Sequence, residues 1–459
     1  MNKMCGFEKW LNMAEWVFRL LFFTYTMLSF NSLCYGQKVI SLVLWPSVLV
    51  GMFVLVGRAL FYKKYIRMPG IIFLALFLLS FVVSAITNIR YGYTENMIKF
   101  VFLLFFFFIL FTKDEKISAD TMKRETRIMG WYLEVYMFVC ALISFGFMVA
   151  GYTTVRTIED GWDIGIGFLW GRLWGVFTEP NYASVFATVC IAMAMYFFRT
   201  EKRKFVRVFA IVNIVVQLFY IAFTDSRTGQ VVLGVTMTIL VFNYLNYRRI
   251  HKTGKKSVKM YLLILVTAAT FLVSFNVPTL ITETYNIGIS VFDPEEPERA
   301  VDRGYDLSAD PTNRRFDIWR SGLEVFASTP VVGTSYSNIL PYTLDNFEDT
   351  YLINNSAEKN FSSIHNEILN VLVGQGVFGV AVLFAFIGYA VSWYIKFYFK
   401  EMNEDQELFN NMLISSIAGI TAGAMTLTGM FYSNAPTVIL FWMFLGYFLI
   451  NMKRKKEGK

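Results

Sequence analysis

Twelve long apolar runs, separated by short charged segments, dominate the sequence. A bilayer core about 30 Å thick needs about 20 mostly apolar helical residues to cross it, because every backbone polar group must be satisfied within the segment. The runs therefore predict membrane-spanning helices rather than the interior of a water-soluble domain. The expected spans are residues 15–34, 39–58, 69–87, 95–112, 129–150, 180–198, 208–224, 229–246, 260–280, 374–397, 410–429 and 436–452.

The amino-acid composition also indicates that the protein lies in a lipid bilayer. Of the 459 residues, 56% are hydrophobic and 17% are charged, whereas about 25% of residues are charged in soluble domains. The 47 Phe, 25 Tyr and 10 Trp residues suit lipid-facing surfaces and the aromatic belts at membrane interfaces. We therefore predict an all-α polytopic integral membrane protein of about 12 transmembrane helices. One large outer loop is expected to contain short amphipathic helices.

Charge is segregated along the chain. Residues 281–364 contain six basic and fourteen acidic residues, a balance of −8, so the remaining residues sum to +16 and the whole chain to +8. The basic residues lie in short segments between apolar runs, where positive-inside bias places them, and do not form a nucleic-acid-binding patch. The basic segments are residues 58–67, 113–127, 199–207, 248–259 and 453–459.

If the spans alternate, all these basic segments share one side of the membrane, and the acidic connection around residues 401–407 is the exception. This pattern predicts a multi-pass protein of the cell (inner or plasma) membrane with both termini in the cytoplasm. We divide it into residues 1–280 with transmembrane helices 1–9, a large extracytoplasmic loop at 281–373, and residues 374–459 with helices 10–12 and a basic cytoplasmic tail. The three parts form one integrated membrane domain. Segments 151–179 and 225–229 face outward with the loop.

The large loop exceeds the 12–15 residues beyond which loops are commonly functional or disordered. Its acidic, proline-containing stretch 293–310 predicts a solvated and irregular chain. The sequence HNEILNVLVGQGVFG, at 365–379, predicts a re-entrant or interfacial helix. Apolar residues at spacings of three and four predict a short amphipathic helix on the outer surface; they are Phe316, Trp319, Leu323 and Phe326.

Several kinds of site have no sequence support. The four cysteines have no metal-ligand spacing and none lies in the acidic loop, so we predict neither a zinc site nor a disulfide framework. There is no P-loop or GxSxG elbow, and no DxD motif in the outer segments, so nucleotide-sugar chemistry on the cytoplasmic side is unsupported. The N-terminal apolar run lacks a small-residue cleavage pattern and predicts a retained helix. The cysteines are Cys5, Cys34, Cys140 and Cys190.

Two charged clusters are expected on the outer side between spans, where charges against the bilayer are costly unless they serve a purpose. Arg172 and Glu179 lie in GRLWGVFTEPNYAS, whose simpler interpretation is an aromatic interface followed by a helix start. Arg227 lies in the tight turn DSRTGQ, where the simpler interpretation is a snorkelling arginine paired with Asp225.

Two further clusters lie in the large loop. The sequence NRRFDIWR holds Arg314, Arg315 and Arg320, which could offset nearby acids on a solvated helix face or bind phosphate oxygens bidentately. His365, followed by Asn366, begins an apolar helix at the outer membrane edge. It could take a proton from a sugar hydroxyl, or simply cap the helix. The only other histidine lies in a basic segment, where solvation accounts for it.

Four pieces of sequence resemble the O-antigen ligase/polymerase family, the Wzy/WaaL-type membrane glycosyltransferases. They are GVFTEPNYAS before a span, SRTG at an outer turn, RFDIWRSGLEVFASTPVVG in the large loop and HNEILNVLVGQGVFG leading into the next span. Their order, side and spacing also agree over residues 165–395. The resemblance implies an all-helical, GT-C-like fold. It also implies metal-independent glycosyl transfer from an undecaprenyl pyrophosphate-linked donor, with no cofactor.

The same resemblance implies residue roles. Arg227 and Arg315 would bind the pyrophosphate of the donor, and His365 would act as general base or orient the acceptor hydroxyl. Arg315 is chosen because its spacing to Trp319 is that of the family. The adjacent Arg314 is the other candidate for this position. The remaining candidates for substrate binding are Arg172, Glu179, Arg314, Arg320 and Asn366.

These roles describe one reaction. Arginines would stabilise the charge that grows on the leaving pyrophosphate, while a base on the other side of the anomeric carbon predicts inversion. We expect a polymerase for O-antigen, capsule or exopolysaccharide, which joins the donor to a sugar hydroxyl of another lipid-linked repeat unit. O-antigen ligase-type transfer to a different acceptor stays open, because no residue reports the acceptor. Expected partners are the lipid-linked donor and acceptor, membrane lipids, a flippase and a chain-length regulator, and no nucleic acid.

A lipid-linked oligosaccharide flippase or transporter is the alternative from another class. That function would favour ionisable residues at mid-membrane. Arg19, Lys99 and Glu134 are the candidates, but we expect them towards span ends, where snorkelling suffices.

Overall fold

The computed structural model describes residues 2–157, 163–251, 259–292, 299–302, 314–355, 360–398 and 403–456. These residues form fourteen α-helices and one three-stranded sheet. The first nine helices are α1 (Asn2–Ser29), α2 (Lys38–Leu60), α3 (Ile71–Thr87), α4 (Thr94–Phe105), α5 (Ala119–Val149), α6 (Pro180–Thr200), α7 (Lys204–Phe223), α8 (Arg227–His251) and α9 (Met260–Phe292). The others are α10 (Arg315–Ser328), α11 (Ile339–Asn346), α12 (Glu367–Tyr398), α13 (Glu404–Ala424) and α14 (Pro436–Lys456).

Each of the twelve expected spans coincides with a helix. Among the described residues, nine helices are long and apolar enough to cross a membrane, with α4 extended to Phe111 by a π-helical turn. Helix α3 is apolar but has 17 residues. Helices α1 and α13 carry buried polar side chains that lower their hydropathy. The predicted class, an all-α polytopic membrane protein, is confirmed, while the number of twelve crossings stays a prediction.

Burial separates the centre of the bundle from its lipid-facing rim. In an apolar segment of 18 residues from each helix, 78% of the residues are buried in α6 and 94% in α14, so these two helices form the centre of the bundle. The corresponding values for α2 and α9 are 17% and 6%. Because both peripheral helices are strongly apolar, their exposed leucines and valines suit contact with lipid tails.

Two of the charged residues inside the bundle, Arg19 and Glu134, have polar partners and do not snorkel. Arg19 is 3% exposed, and its Nη1 donates to Glu125 Oε2 at 2.6 Å. Glu134 is 1% exposed and accepts a hydrogen bond from the Nδ2 of Asn213. The expectation that Arg19 and Glu134 snorkel at span ends is therefore wrong, because partners on neighbouring helices satisfy them inside the protein.

A small antiparallel sheet lies between α5 and α6, where the sequence analysis expected only an outward loop. Its strands are β1 (Thr153–Thr157), β2 (Asp163–Leu169) and β3 (Arg172–Gly175), in the order β1-β2-β3. Trp170 and Gly171 join β2 to β3 with φ values of 52° and 67°, the left-handed conformations that a two-residue hairpin turn needs. The sequence analysis did not predict this sheet, because its strands are too short to give a clear sequence pattern, and so small a sheet leaves the all-α class unchanged.

The large loop contains the amphipathic helix that the sequence predicts, but only part of the predicted face, Trp319 and Phe326, packs against the protein. In α10 the buried residues include Ile318 and Val325, whereas Phe316 and Leu323 are 61% and 46% exposed. Ile318 and Val325 pack in a small outer cluster with Ile339, Leu352, Ile364 and Val373. The buried side of the helix therefore packs on protein. The acidic stretch 293–310 lies outside the described residues, apart from 299–302.

The predicted re-entrant helix and the following span are two segments of α12. Residues 367–375 and 377–398 are separated by Gly376, whose φ of 65° and ψ of −166° are not helical. A Cβ at Gly376 would lie 2.2 Å from the carbonyl oxygen of Val331, so only glycine fits there. Val377 N donates to Pro330 O at 2.9 Å, which fixes the break against the connection that follows α10.

Candidate active site

Three helices start close together on the side of the bundle that carries the large loop. Arg227 is the first residue of α8, Arg315 is the first residue of α10, and His365 precedes α12 by two residues. Each start follows or includes a non-glycine residue with positive φ: Asp225 at 44°, Arg314 at 62° and His365 at 50°. Such conformations cost free energy and cluster at functional sites. Three of them at converging helix starts mark this region as the candidate site.

Arg315 connects α10 to the start of α8. Its Nη2 donates to Thr228 Oγ1 at 3.5 Å, and Thr228 pairs with Thr426 Oγ1 at 2.9 Å. Arg315 is half-buried, and Arg227 is exposed beside Thr228 at the same helix end. The Arg315 guanidinium therefore reaches the start of α8, which Arg227 begins, and the N-terminal ends of α8 and α10 lie in one region, which favours an anion there.

His365 is held in place and kept uncharged. Its backbone N donates to Ser363 Oγ at 3.2 Å, and its ring contacts the edge of Phe361 at 6.1 Å between centroids. Burial, and then the nearby Arg315 guanidinium, lower the pKa of His365 to about 4. At neutral pH the ring is therefore neutral, and one of its nitrogens carries a lone pair that can accept a proton.

A connection that the sequence analysis did not single out forms one wall of the site. This segment, residues 425–435 between α13 and α14, meets the residues before α12. Thr428 Oγ1 lies 2.7 Å from Ser363 Oγ and accepts from Asn370 Nδ2 at 3.0 Å. The hydroxyl of Tyr182 donates to Thr428 O at 2.7 Å. No sequence signal pointed to Thr428, because its partners lie about 60 and 250 positions earlier in the chain.

Glu367 anchors the same connection. Its carboxylate is buried, Oε1 accepts from Phe431 N at 2.7 Å, and Oε2 accepts from Gly429 N at 3.0 Å. Asn366 adds a third tie, since its Nδ2 donates to Met425 O at 3.0 Å while its Oδ1 accepts from Leu369 N at 3.1 Å. Asn366 thus caps α12 and helps to position the wall. Asn366 and Glu367 are one and two residues after His365.

Arg172 and Glu179 support the start of α8. Arg172 is 6% exposed, and its Nε donates to Thr224 O at 2.9 Å. Its Nη2 donates to Asn181 Oδ1 at 3.2 Å, and the same oxygen accepts from Ser226 Oγ at 2.8 Å. Glu179 accepts from Asn181 Nδ2 at 2.7 Å and caps α6. Both predicted residues therefore hold the turn that presents Arg227.

Arg314 and Arg320 have exposed side chains on or beside α10. Arg314 Nη1 lies 3.8 Å from Asp317 Oδ2, and Arg320 Nε lies 3.4 Å from Glu324 Oε1. These are the solvated ion pairs of the simpler sequence interpretation. Within the described parts of the chain, no group of three or more His, Cys, Asp or Glu side chains could hold a metal ion.

Part of the chain is similar to a known protein family. Residues 212–384 match the family model Wzy_C, described as O-antigen ligase. The matched region contains Arg227, Arg315 and His365, while the wall at 425–435 and the sheet lie outside it. No curated protein matches the chain. The chain is therefore a multi-pass membrane protein in which residues 212–384 are similar to the O-antigen ligase family.

Proposed function

We propose that this chain is a polysaccharide polymerase acting at the outer face of the membrane. It transfers an undecaprenyl pyrophosphate-linked oligosaccharide to a sugar hydroxyl of another lipid-linked repeat unit, with inversion and without a metal ion. The observation that carries the proposal is the position of Arg315. This residue contacts the start of α8 through Thr228 and lies close enough to His365 to lower its pKa.

The arginines suit the leaving group. A guanidinium group stays charged and binds phosphate oxygens bidentately, so Arg227 and Arg315 can hold the pyrophosphate of the donor. The starts of α8 and α10 add their partial positive charge at the same place. Because these groups are already in position, they stabilise the charge that develops as the bond from the anomeric carbon to the phosphate oxygen breaks.

His365 suits the attacking group. The acceptor hydroxyl oxygen forms a bond to the anomeric carbon, the pyrophosphate leaves with the electron pair of the broken bond, and the hydroxyl proton passes to His365. A neutral imidazole is required for this role, and the lowered pKa of His365 provides it. Pyrophosphate bound at Arg315 offsets the guanidinium charge, which makes His365 more basic once the donor is in place.

The acceptor that we propose is the non-reducing end of a second lipid-linked unit. Transfer to a different acceptor would use the same three residues, so the product distinguishes the two reactions. A polymerase lengthens the lipid-linked chain, whereas a ligase moves it onto another molecule.

The test uses cells that lack the native enzyme and are complemented at matched membrane expression. We expect His365→Ala, Arg227→Ala and Arg315→Ala to abolish polymer while single lipid-linked units still reach the outer face. Arg90→Ala is the matched control, because Arg90 is an exposed arginine in the connection between α3 and α4. Normal polymer from all three site variants would overturn the site assignment, and accumulation of units on the cytoplasmic face would indicate a transporter instead.

A further inference from the structure

A charged cavity lies at the opposite end of the bundle from His365. The end of α3 contacts the outer loop, since Asn88 Nδ2 donates to Gly333 O at 2.8 Å, so the connections before α3 and after α4 lie on the other face. The cavity between these connections and α1 has a volume of about 390 Å³. A water molecule occupies about 30 Å³ in the liquid, so a tetrahedral anion fits with several waters.

Two arginines and two glutamates in the cavity wall neutralise each other. Arg58 Nε and Nη2 donate to the carboxylate of Glu15 at 2.7 and 2.8 Å. Arg19 Nη1 donates to Glu125 Oε2 at 2.6 Å, and its Nη2 donates to Glu15 at 3.3 Å. All four side chains are buried. The two positive charges are thus matched by two negative ones.

Lys113 is left over from this arrangement. It lines the cavity and is 1% exposed, and among the described residues its Nζ has no hydrogen-bond partner. Lys113 Nζ lies 4.5 Å from the centroid of the Tyr447 ring, which is a cation–π contact. Burial and the neighbouring Arg19 lower the pKa of Lys113 well below its ordinary value. The protonated amine has three donors and no acceptor, and its burial without a partner is costly, so an anionic acceptor in the cavity would stabilise the protonated form.

Other groups in the cavity lining indicate that the acceptor is an anion. Arg19 Nε also lacks a hydrogen-bond partner among the described residues. Ser118 and Thr121, from the first turn of α5, line the cavity together with Arg124. The N-terminal end of a helix favours an anion, and the basic residues of the lining outnumber the acidic ones by five to four.

We propose that this cavity binds a phosphate group, with Lys113 as its main cation and the start of α5 as a second source of donors. The group is either free phosphate or the headgroup of an anionic phospholipid from the adjacent leaflet. The site is separate from glycosyl transfer, because it lies at the other end of the bundle and shares no residue with the site around His365.

Thermal unfolding of the purified protein tests the proposal. In detergent, inorganic phosphate should raise the unfolding temperature above that in chloride of equal ionic strength. In nanodiscs, phosphatidylglycerol should do so relative to phosphatidylcholine if the source is a lipid headgroup. A shift in either arm supports the phosphate chemistry and identifies the source. No shift in both arms overturns it.

Variants assign the effect to the cavity. Lys113→Met should weaken binding of the active probe by at least about tenfold, since it removes a charged hydrogen-bond donor. Arg124 is exposed and lines the cavity, so the Arg124→Gln variant should fold normally and should also bind the probe more weakly. Lys63→Gln is the matched control, an exposed lysine on the same face outside the lining. If Arg124→Gln, and Lys113→Met where it folds, bind the probe like wild type, the site is wrong.

Discussion

At the scale of single residues, His365 gives the most direct prediction. Its pKa of about 4 keeps the ring neutral at neutral pH, and the base is lost only as the pH falls through that value. The chain has two histidines, so His251→Gln leaves one histidine signal in an isotope-labelled NMR titration. We expect that signal to titrate near pH 4, and inorganic pyrophosphate to raise the pKa by roughly one unit.

Arg315 supplies the control for that titration. Arg315→Gln should move the pKa of His365 upward, although not to the ordinary value of about 6.5, because burial is the larger cause of the shift. Arg315→Lys keeps the positive charge and should leave the pKa low. A pKa near 6.5 in the parent protein, unaffected by either substitution, would contradict the site geometry.

Sequence reasoning could find the site residues that carry unusual chemistry for their position. A histidine at an outer membrane edge and arginines in an acidic loop stand out by type, and the structure brings Arg315 and His365 together. Thr428 and Glu367 do not stand out, since a threonine in a connection and a glutamate at a helix start are ordinary. Their importance comes from partners that are distant in sequence, and only the fold shows those.

At the scale of elements, the connection 425–435 depends on Glu367. Glu367→Ala leaves two buried backbone N–H groups, those of Gly429 and Phe431, without acceptors. Each such group costs about 1–3 kcal/mol. We expect a lower unfolding temperature in detergent, with Glu367→Gln intermediate because its amide keeps one acceptor oxygen. Equal stability of wild type and Glu367→Ala would show that the connection is held by other contacts.

The helices could be predicted from hydropathy, whereas their docked faces and the sheet could not. In α10 the exposed residue Phe316 carries as strong an apolar signal as the buried Ile318. Which face is buried depends on Ile364 and Val373, which reach it from another part of the chain. The break at Gly376 likewise reflects the close approach of Val331, which the local sequence does not encode.

At the scale of the whole molecule, the buried ion pairs join the first helices to the bundle. Arg58→Met leaves the carboxylate of Glu15 without its bidentate partner, and breaking a buried pair costs about 3–5 kcal/mol. We expect a marked loss of thermal stability and of folded yield. Glu15→Gln combined with Arg58→Met should recover part of that loss, because no unpaired carboxylate remains. A double variant no more stable than Arg58→Met would argue against this pairing as the cause.

The order of the helices along the chain and the separation of basic from acidic segments were readable from the sequence. The interior charges were not, because hydropathy places a charge on a helix but does not show which neighbour will satisfy it. Arg19 and Glu125 are 106 residues apart and meet at 2.6 Å. Such pairs let α1 enter the bundle although it carries charged side chains.

The most direct test of the central claim is transfer by the purified protein in proteoliposomes. The substrates are a synthetic undecaprenyl pyrophosphate-linked oligosaccharide as donor and a second lipid-linked unit as acceptor, with chelator present and the product analysed for anomeric configuration. We predict an elongated, inverted product from wild type and from Arg90→Ala, and a rate about 10²–10⁴ lower from His365→Gln. A retained configuration, or a His365→Gln rate equal to that of wild type, would contradict the account.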